Sequence, residues 1–162
     1  IARGFSRIST VLFSFYGGGK EITSFGHPIG GAAPSGDNDQ FRYNLQIGSF
    51  KAFVQDVEGV AEQFHRLRTA ITILDRDNKS IDITPHAFRS NKAIFAINLE
   101  KTINEEDEDL GMSGQSTKNG SQATLLLKGC PQNADGSPVM LHVCILYDSI
   151  TQLSAAGISQ LE

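Results

Sequence analysis

The sequence predicts an all-β fold, a sandwich of two antiparallel sheets with one amphipathic helix in a connection. Three observations carry that expectation. Short segments rich in β-branched and aromatic residues recur along the chain, about seven to nine of them, separated by clusters of Gly, Pro, Asn and Asp. One long segment repeats its apolar residues at helical spacing instead. The third is the run Val139 to Tyr147 (VMLHVCILY), which is largely apolar on both faces: Val139, Leu141, Val143, Ile145 and Tyr147 on one, Met140, His142, Cys144 and Leu146 on the other. Burying its five large side chains contributes about 8–15 kcal/mol, while ordering its backbone costs about 9–18 kcal/mol. The run cannot stand alone. It is expected to be an inner strand, covered once by the core and once by a helix, a loop or another chain.

Taken in order, Phe5 to Tyr16 (FSRISTVLFSFY) reads as a strand ending at the turn Gly17 to Gly19. Glu21 to Phe25 suits a short second strand, and Gly26 to Asp39, with two Pro and four Gly, is loop chemistry. Phe41, Tyr43, Leu45 and Ile47 alternate with Arg42, Asn44 and Gln46, the cleanest one-sided strand in the chain. From Asp56 to Ile71 the period changes: Val57, Val60, Ala61, Phe64, Leu67 and Ile71 fit a helix capped by Asp56, with Glu58 and Glu62 early and Arg66 and Arg68 late. Ile71 to Leu74 and Ile81 to Ile83 are expected as strand fragments, and Thr84-Pro85 as the cap and first residue of a single turn through Phe88. Ala93 to Leu99 and Ala123 to Lys128 return to strand. Between them lies the polar loop Thr102 to Ser121, with the acidic run Glu105 to Asp109 and an Asn119-Gly120 turn.

The 162 residues suit one domain spanning 1–162 with a real core. A net charge of −4 with no basic stripe argues against general nucleic-acid binding. No stretch reaches the roughly 20 apolar residues that span a bilayer, and no signal peptide is visible, so a soluble chain without membrane insertion is expected. Two cysteines, Cys130 and Cys144, match no metal or redox spacing; Cys144 reads as a small buried hydrophobe in a strand.

The search for chemistry returns weak features. The acids at 105–109 lack the alternating ligands and the Gly of a calcium loop and read as a solvated loop. His27, His65, His86 and His142 are dispersed, and His142 and Cys144 are same-strand neighbours about 6.5–7 Å apart, too far for a nucleophile and its base. Gly17 to Gly19 before Lys20 lacks the spacing of a phosphate loop. Ser113, Ser116 and Ser121 form no nucleophile elbow. No catalytic residue, metal site or cofactor is expected. The residues point to a protein whose product is its shape.

Four segments carry a resemblance: QFRYNLQIGSFKAF (Gln40 to Phe53), VEGVAEQFHRLRTAI (Val57 to Ile71), NLEKTINEEDEDLGMSGQSTKNGSQATLLLKG (Asn98 to Gly129) and VMLHVCILYDSITQLSAAGISQLE (Val139 to Glu162). Together they resemble the C-terminal jelly roll of major capsid proteins of the double jelly-roll virus lineage, as in small eukaryotic DNA viruses and virus-like transposons. The likeness implies an eight-stranded jelly-roll sandwich of two four-stranded sheets, two such rolls per chain, and three chains to a pseudo-hexagonal capsomer. This chain has material for one roll and begins at Ile1, so it is expected to be the second half of a longer chain, with a single-roll relative as the alternative. The implied function is that of a structural capsid protein of an icosahedral virion, assembled in the host cell. Its partners would be itself as a homotrimer, neighbouring capsomers and minor capsid proteins.

The second face of the Val139 to Tyr147 strand, with Met140, Cys144 and Leu146, is the candidate oligomer interface; cover by the Val57 to Ile71 helix is the alternative. Two other functions compete. A lectin-like or protein-binding β-sandwich shares the architecture, but the absence of Trp and the presence of only three Tyr disfavour a sugar-stacking platform. A cupin-like metal enzyme needs converging histidines, and only His142 lies clearly in a strand.

Overall fold

The computed structural model describes residue 5 and residues 7–17, 41–74, 83–90, 92–100, 114–117, 121–130, 139–148, 150–154 and 157–161. Among these are β1 (Arg7–Gly17), β2 (Arg42–Ile47), β3 (Phe50–Lys51), β4 (Val57–Glu58), α1 (Val60–Leu74), α2 (Pro85–Ser90), β5 (Phe95–Asn98), β6 (Ala123–Lys128), β7 (Val139–Asp148), β8 (Ile150–Ser154) and β9 (Gly157–Leu161). The chain is mostly β, as expected, with two antiparallel sheets and a separate β8–β9 hairpin. The expected Glu21 to Phe25 strand, the acidic run, His27, Ser113 and the Asn119-Gly120 turn lie outside the described residues.

One sheet has the order β5-β1-β7. In it Phe13 faces Phe95 on one side and Val143 on the other, and Val11 likewise faces Ile97 and Ile145, which sets Val11, Phe13 and Phe15 on the core face. In the other sheet β2 pairs with β6 along one edge, Tyr43 opposite Leu127 and Leu45 opposite Leu125. Its remaining edge is shared by β4 at Arg42 and Tyr43 and by β3 at Gln46 and Ile47. The apolar half of the predicted alternation of β2 holds, since Tyr43, Leu45 and Ile47 are buried together with Phe41 just ahead of it; on the polar face Asn44 is buried as well, because its amide bonds Phe53 and Asp56. The two inner faces meet through aromatic rings. Phe13 meets Tyr43 edge to face at 5.1 Å, Phe15 meets Phe41 at 5.4 Å, and Phe95 packs 5.0 Å from Phe41. Such pairs prefer tilted contacts, so the rings fix how the sheets seat on each other.

The helix differs from expectation at both ends. Val57 and Glu58 form β4, and Glu58 pairs across the sheet with Arg42 at 3.0 Å. Asp56 does not cap the helix because its carboxylate is taken by Asn44 and Lys128. The chain turns at Gly59, whose φ of 79° suits glycine, and the Gly59 carbonyl accepts the first helical bond from Gln63. The buried stripe runs Gln63, Leu67 and Ala70, flanked by Val60, Phe64 and Ile71, while Ala61 is exposed. Ile71 to Leu74 is the last turn of α1 and not a strand, and Ile83 lies in no strand. The Thr84-Pro85 expectation holds: Thr84 Oγ1 accepts from Ala87 N at 3.2 Å and opens α2, which buries Phe88 against Phe64 and Phe95.

Candidate assembly surface

β7 departs furthest from the sequence reading. It pairs with β1 along its whole length, and among the described residues it is the outermost strand of its sheet rather than the expected inner one. α1 packs on β5, at the opposite side of that sheet from β7, and so does not supply the cover that the alternative expected of it. Apolar side chains therefore stand in water along one strand: Met140 is 48% exposed, Leu141 41%, Val143 40% and Tyr147 36%. Alternation along a strand reports which residues share a face and says nothing about strand order. That is why the edge position was not visible in the sequence.

Of the expected interface residues, Met140 and Cys144 are exposed and Leu146 is half-buried. They share a face, opposite Leu12 and Thr10 of β1 at Cys144 and Leu146. Leu141, Val143 and Tyr147, which the sequence reading placed toward the core, belong equally to the exposed surface. Only Ile145 and Val139 on that face pack partly against the core cluster. Cys144 is thus a free, exposed thiol and not a buried hydrophobe, because its face of β7 has no covering element among the described residues. Cys130 is also free and exposed.

The C-terminal end of β7 is tied to the start of β1. Near its C-terminal end the Tyr147 ring lies 4.8 Å from that of Phe5, and Ser9 Oγ donates to the Leu146 carbonyl at 3.2 Å. Phe5 is fixed in turn by Thr117, whose Oγ1 accepts from Phe5 N at 2.7 Å while its own N donates to Phe5 O at 2.9 Å. Ile8 bridges to Gln115 beside it. A register shift between Ile8 and Thr10 marks a bulge in β1 at the same end. The sequence reading missed this tie between residues 114–117 and the start of β1.

Other chemistry-bearing groups stay apart. His65 lies exposed on α1, His86 on α2 and His142 on β7. No group of three or more His, Cys, Asp or Glu among the described residues could hold a metal ion. Asp56, Lys128 and Asn44 do cluster: Lys128 Nζ reaches Asp56 Oδ2 at 2.8 Å and Asn44 Nδ2 reaches Asp56 Oδ1 at 3.2 Å, which holds the Asp56 carboxyl below its ordinary value. Asn44 Nδ2 also donates to Phe53 O, and its Oδ1 accepts from Phe53 N, so the cluster ties the β3–β4 loop to the middle of β2. Its role is structural. Among the described residues no helix is long and apolar enough to cross a membrane. Comparison with protein-family models, with curated proteins and with solved structures gave no match for this chain.

Proposed function

We propose that this chain is a structural, self-assembling subunit of a viral capsid, of the double jelly-roll type, that associates as a homotrimer and builds an icosahedral shell. The observation that carries the reading is the row Met140, Leu141, Val143 and Tyr147, apolar and exposed on one strand whose neighbour β1 is buried. An apolar surface continuous with a buried core is what a subunit presents to its neighbours. The sequence likeness of four segments supports the same reading. The proposal extends to the fold, an eight-stranded jelly roll of two four-stranded sheets with α1 in a connection.

The experiment is a mass measurement of the purified chain over a range of concentrations, combined with electron microscopy. Trimers and regular particles are the expected result. A fully folded chain that stays monomeric at every concentration overturns the proposal.

A further inference from the structure

We infer that residues 114–117 are a latch that governs the C-terminal end of β7, acting across β1 through the ring of Phe5. When the latch opens, the start of β1 and the last residues of β7, Tyr147 and Asp148, loosen with it as one unit, while the remainder of the β1–β7 pair stays formed. Tyr147 belongs to the exposed apolar row behind the assembly reading, but the latch is a property of a single chain and holds or fails independently of that reading.

Four hydrogen bonds of 3.0 Å or less close the latch. Ile8 N donates to Gln115 O at 2.8 Å and Gln115 N to Ile8 O at 3.0 Å, while Thr117 N donates to Phe5 O at 2.9 Å and Phe5 N to Thr117 Oγ1 at 2.7 Å. Phe5, Ile8 and Thr117 are all buried, and a buried donor or acceptor that loses its partner without gaining water is costly. The four bonds therefore open together, when the whole segment moves and water enters, and not one at a time. A bulge supplies the hinge. On one side of the register shift between Ile8 and Thr10, β1 lies between β5 and β7; on the other it lies between the latch and β7. At the bulge Ser9 is anchored to both neighbours, its carbonyl accepting from Leu99 N at 2.9 Å and its Oγ donating to the Leu146 carbonyl at 3.2 Å. Loosening that begins at the latch stops there.

Ile8 and Phe5 carry the effect across the strand. Because the N–H and C=O of Ile8 both turn to Gln115, Ile8 meets Tyr147 as the non-hydrogen-bonded kind of antiparallel pair, in which side chains come closest. The two strands are thus joined at Tyr147 by side chains, and the Phe5 ring lies 4.8 Å from that of Tyr147 at an angle of 54°. The next pair, Arg7 with Asp148, is by alternation the hydrogen-bonded kind. Thr117 holds the backbone of Phe5 on one side of β1, and the Phe5 ring steadies Tyr147 and Asp148 on the other. Thr117 is therefore a positioning residue for a surface it does not itself touch.

The test is amide hydrogen exchange, read residue by residue by NMR on the whole chain, in the parent, Thr117→Val and Thr117→Ser. Valine keeps the shape of threonine and removes the acceptor for Phe5 N; serine keeps the hydroxyl. Exchange in Thr117→Val is expected to quicken at least about fivefold at Ile8, Gln115, Arg7 and Asp148, with residues 140–144 unchanged, and Thr117→Ser is expected to restore the parent rates. Faster exchange at Ile8 and Gln115 with Asp148 at its parent rate overturns the coupling, and so does quickening that spreads equally to residues 140–144. A measurement on the parent alone stands if Thr117→Val fails to fold. Across low denaturant concentrations, Ile8, Gln115, Arg7 and Asp148 are expected to converge on one opening free energy, below that of residues 140–144. Asp148 opening together with residues 140–144 instead overturns the latch.

Discussion

The buried Tyr43 hydroxyl, near the start of β2, donates a hydrogen bond to the Ala96 carbonyl of β5 at 3.3 Å and so joins the two sheets by a polar contact inside an aromatic core. Rings set the spacing of the sheets; this bond adds a directional constraint that apolar packing lacks. Replacing Tyr43 by Phe keeps the ring and deletes the bond. A loss of about 1 kcal/mol in unfolding free energy is expected, measured by urea denaturation.

The same residue predicts an alkaline limit. Burial pushes the Tyr43 hydroxyl well above its ordinary value, with Arg66 opposing and Glu62 adding to the effect. The folded chain thus keeps a proton that the unfolded chain releases above about pH 10. Its contribution is complete below that pH and is lost as pH rises beyond it. The stability of Tyr43→Phe is expected to fall less steeply above about pH 10 than that of the parent, read from denaturation midpoints across that range.

Phe95 touches Phe13, Phe41, Tyr43 and Phe88, so it joins both sheets and α2. Phe95→Ala leaves a cavity where these rings and that of Phe15 meet, and relaxation cannot fill it because each of them is held by other contacts. A loss of about 3–5 kcal/mol is expected, observed as a lowered denaturation midpoint.

Asp56 carries the acid-side counterpart. Its folded carboxyl is held low, first by the hydrogen bond from Lys128 and then by that from Asn44, so its contribution is present above about pH 4 and is lost as pH falls through the folded value. Asp56→Asn is expected to flatten the acid limb of a stability–pH curve. At neutral pH it should cost less than about 1 kcal/mol, because Lys128 is well exposed.

Gly114 lies against the backbone of Ile8, where a Cβ would come within 2.6 Å of the Ile8 carbonyl oxygen. Its role is close approach. Gly114→Ala is expected to push residues 114–117 off the start of β1 at a cost of about 1–3 kcal/mol, seen as faster hydrogen exchange at the Ile8 and Gln115 amides, which bond to each other's carbonyls.

The sequence exposed the strands whose pattern is local. The alternation from Phe41 to Ile47 was readable because its apolar residues all face the core, although the buried Asn44 on the other face was not foreseen, and the Thr84-Pro85 pair announced α2. The start of α1 was misread because Val57 happens to sit at helical spacing from Val60 and Phe64, while the partners that engage Asp56 arrive from Asn44 and Lys128, distant in sequence. The candidate surface was half readable: the apolar character of Val139 to Tyr147 is a local property, but its outermost place among the described strands depends on which strand lies beside β1. Expecting a covered strand put Leu141, Val143 and Tyr147 on the wrong side of the account, and it buried Cys144 as well.

The pairing of β1 with β7 joins residues 7–17 to residues 139–148, nearly the full length of the described chain apart. During synthesis β1 must therefore wait, its apolar face kept by β5 and the sheet of β2, until β7 emerges from the ribosome. The exposed apolar strand comes into place only once the residues that form the rest of its sheet have been made.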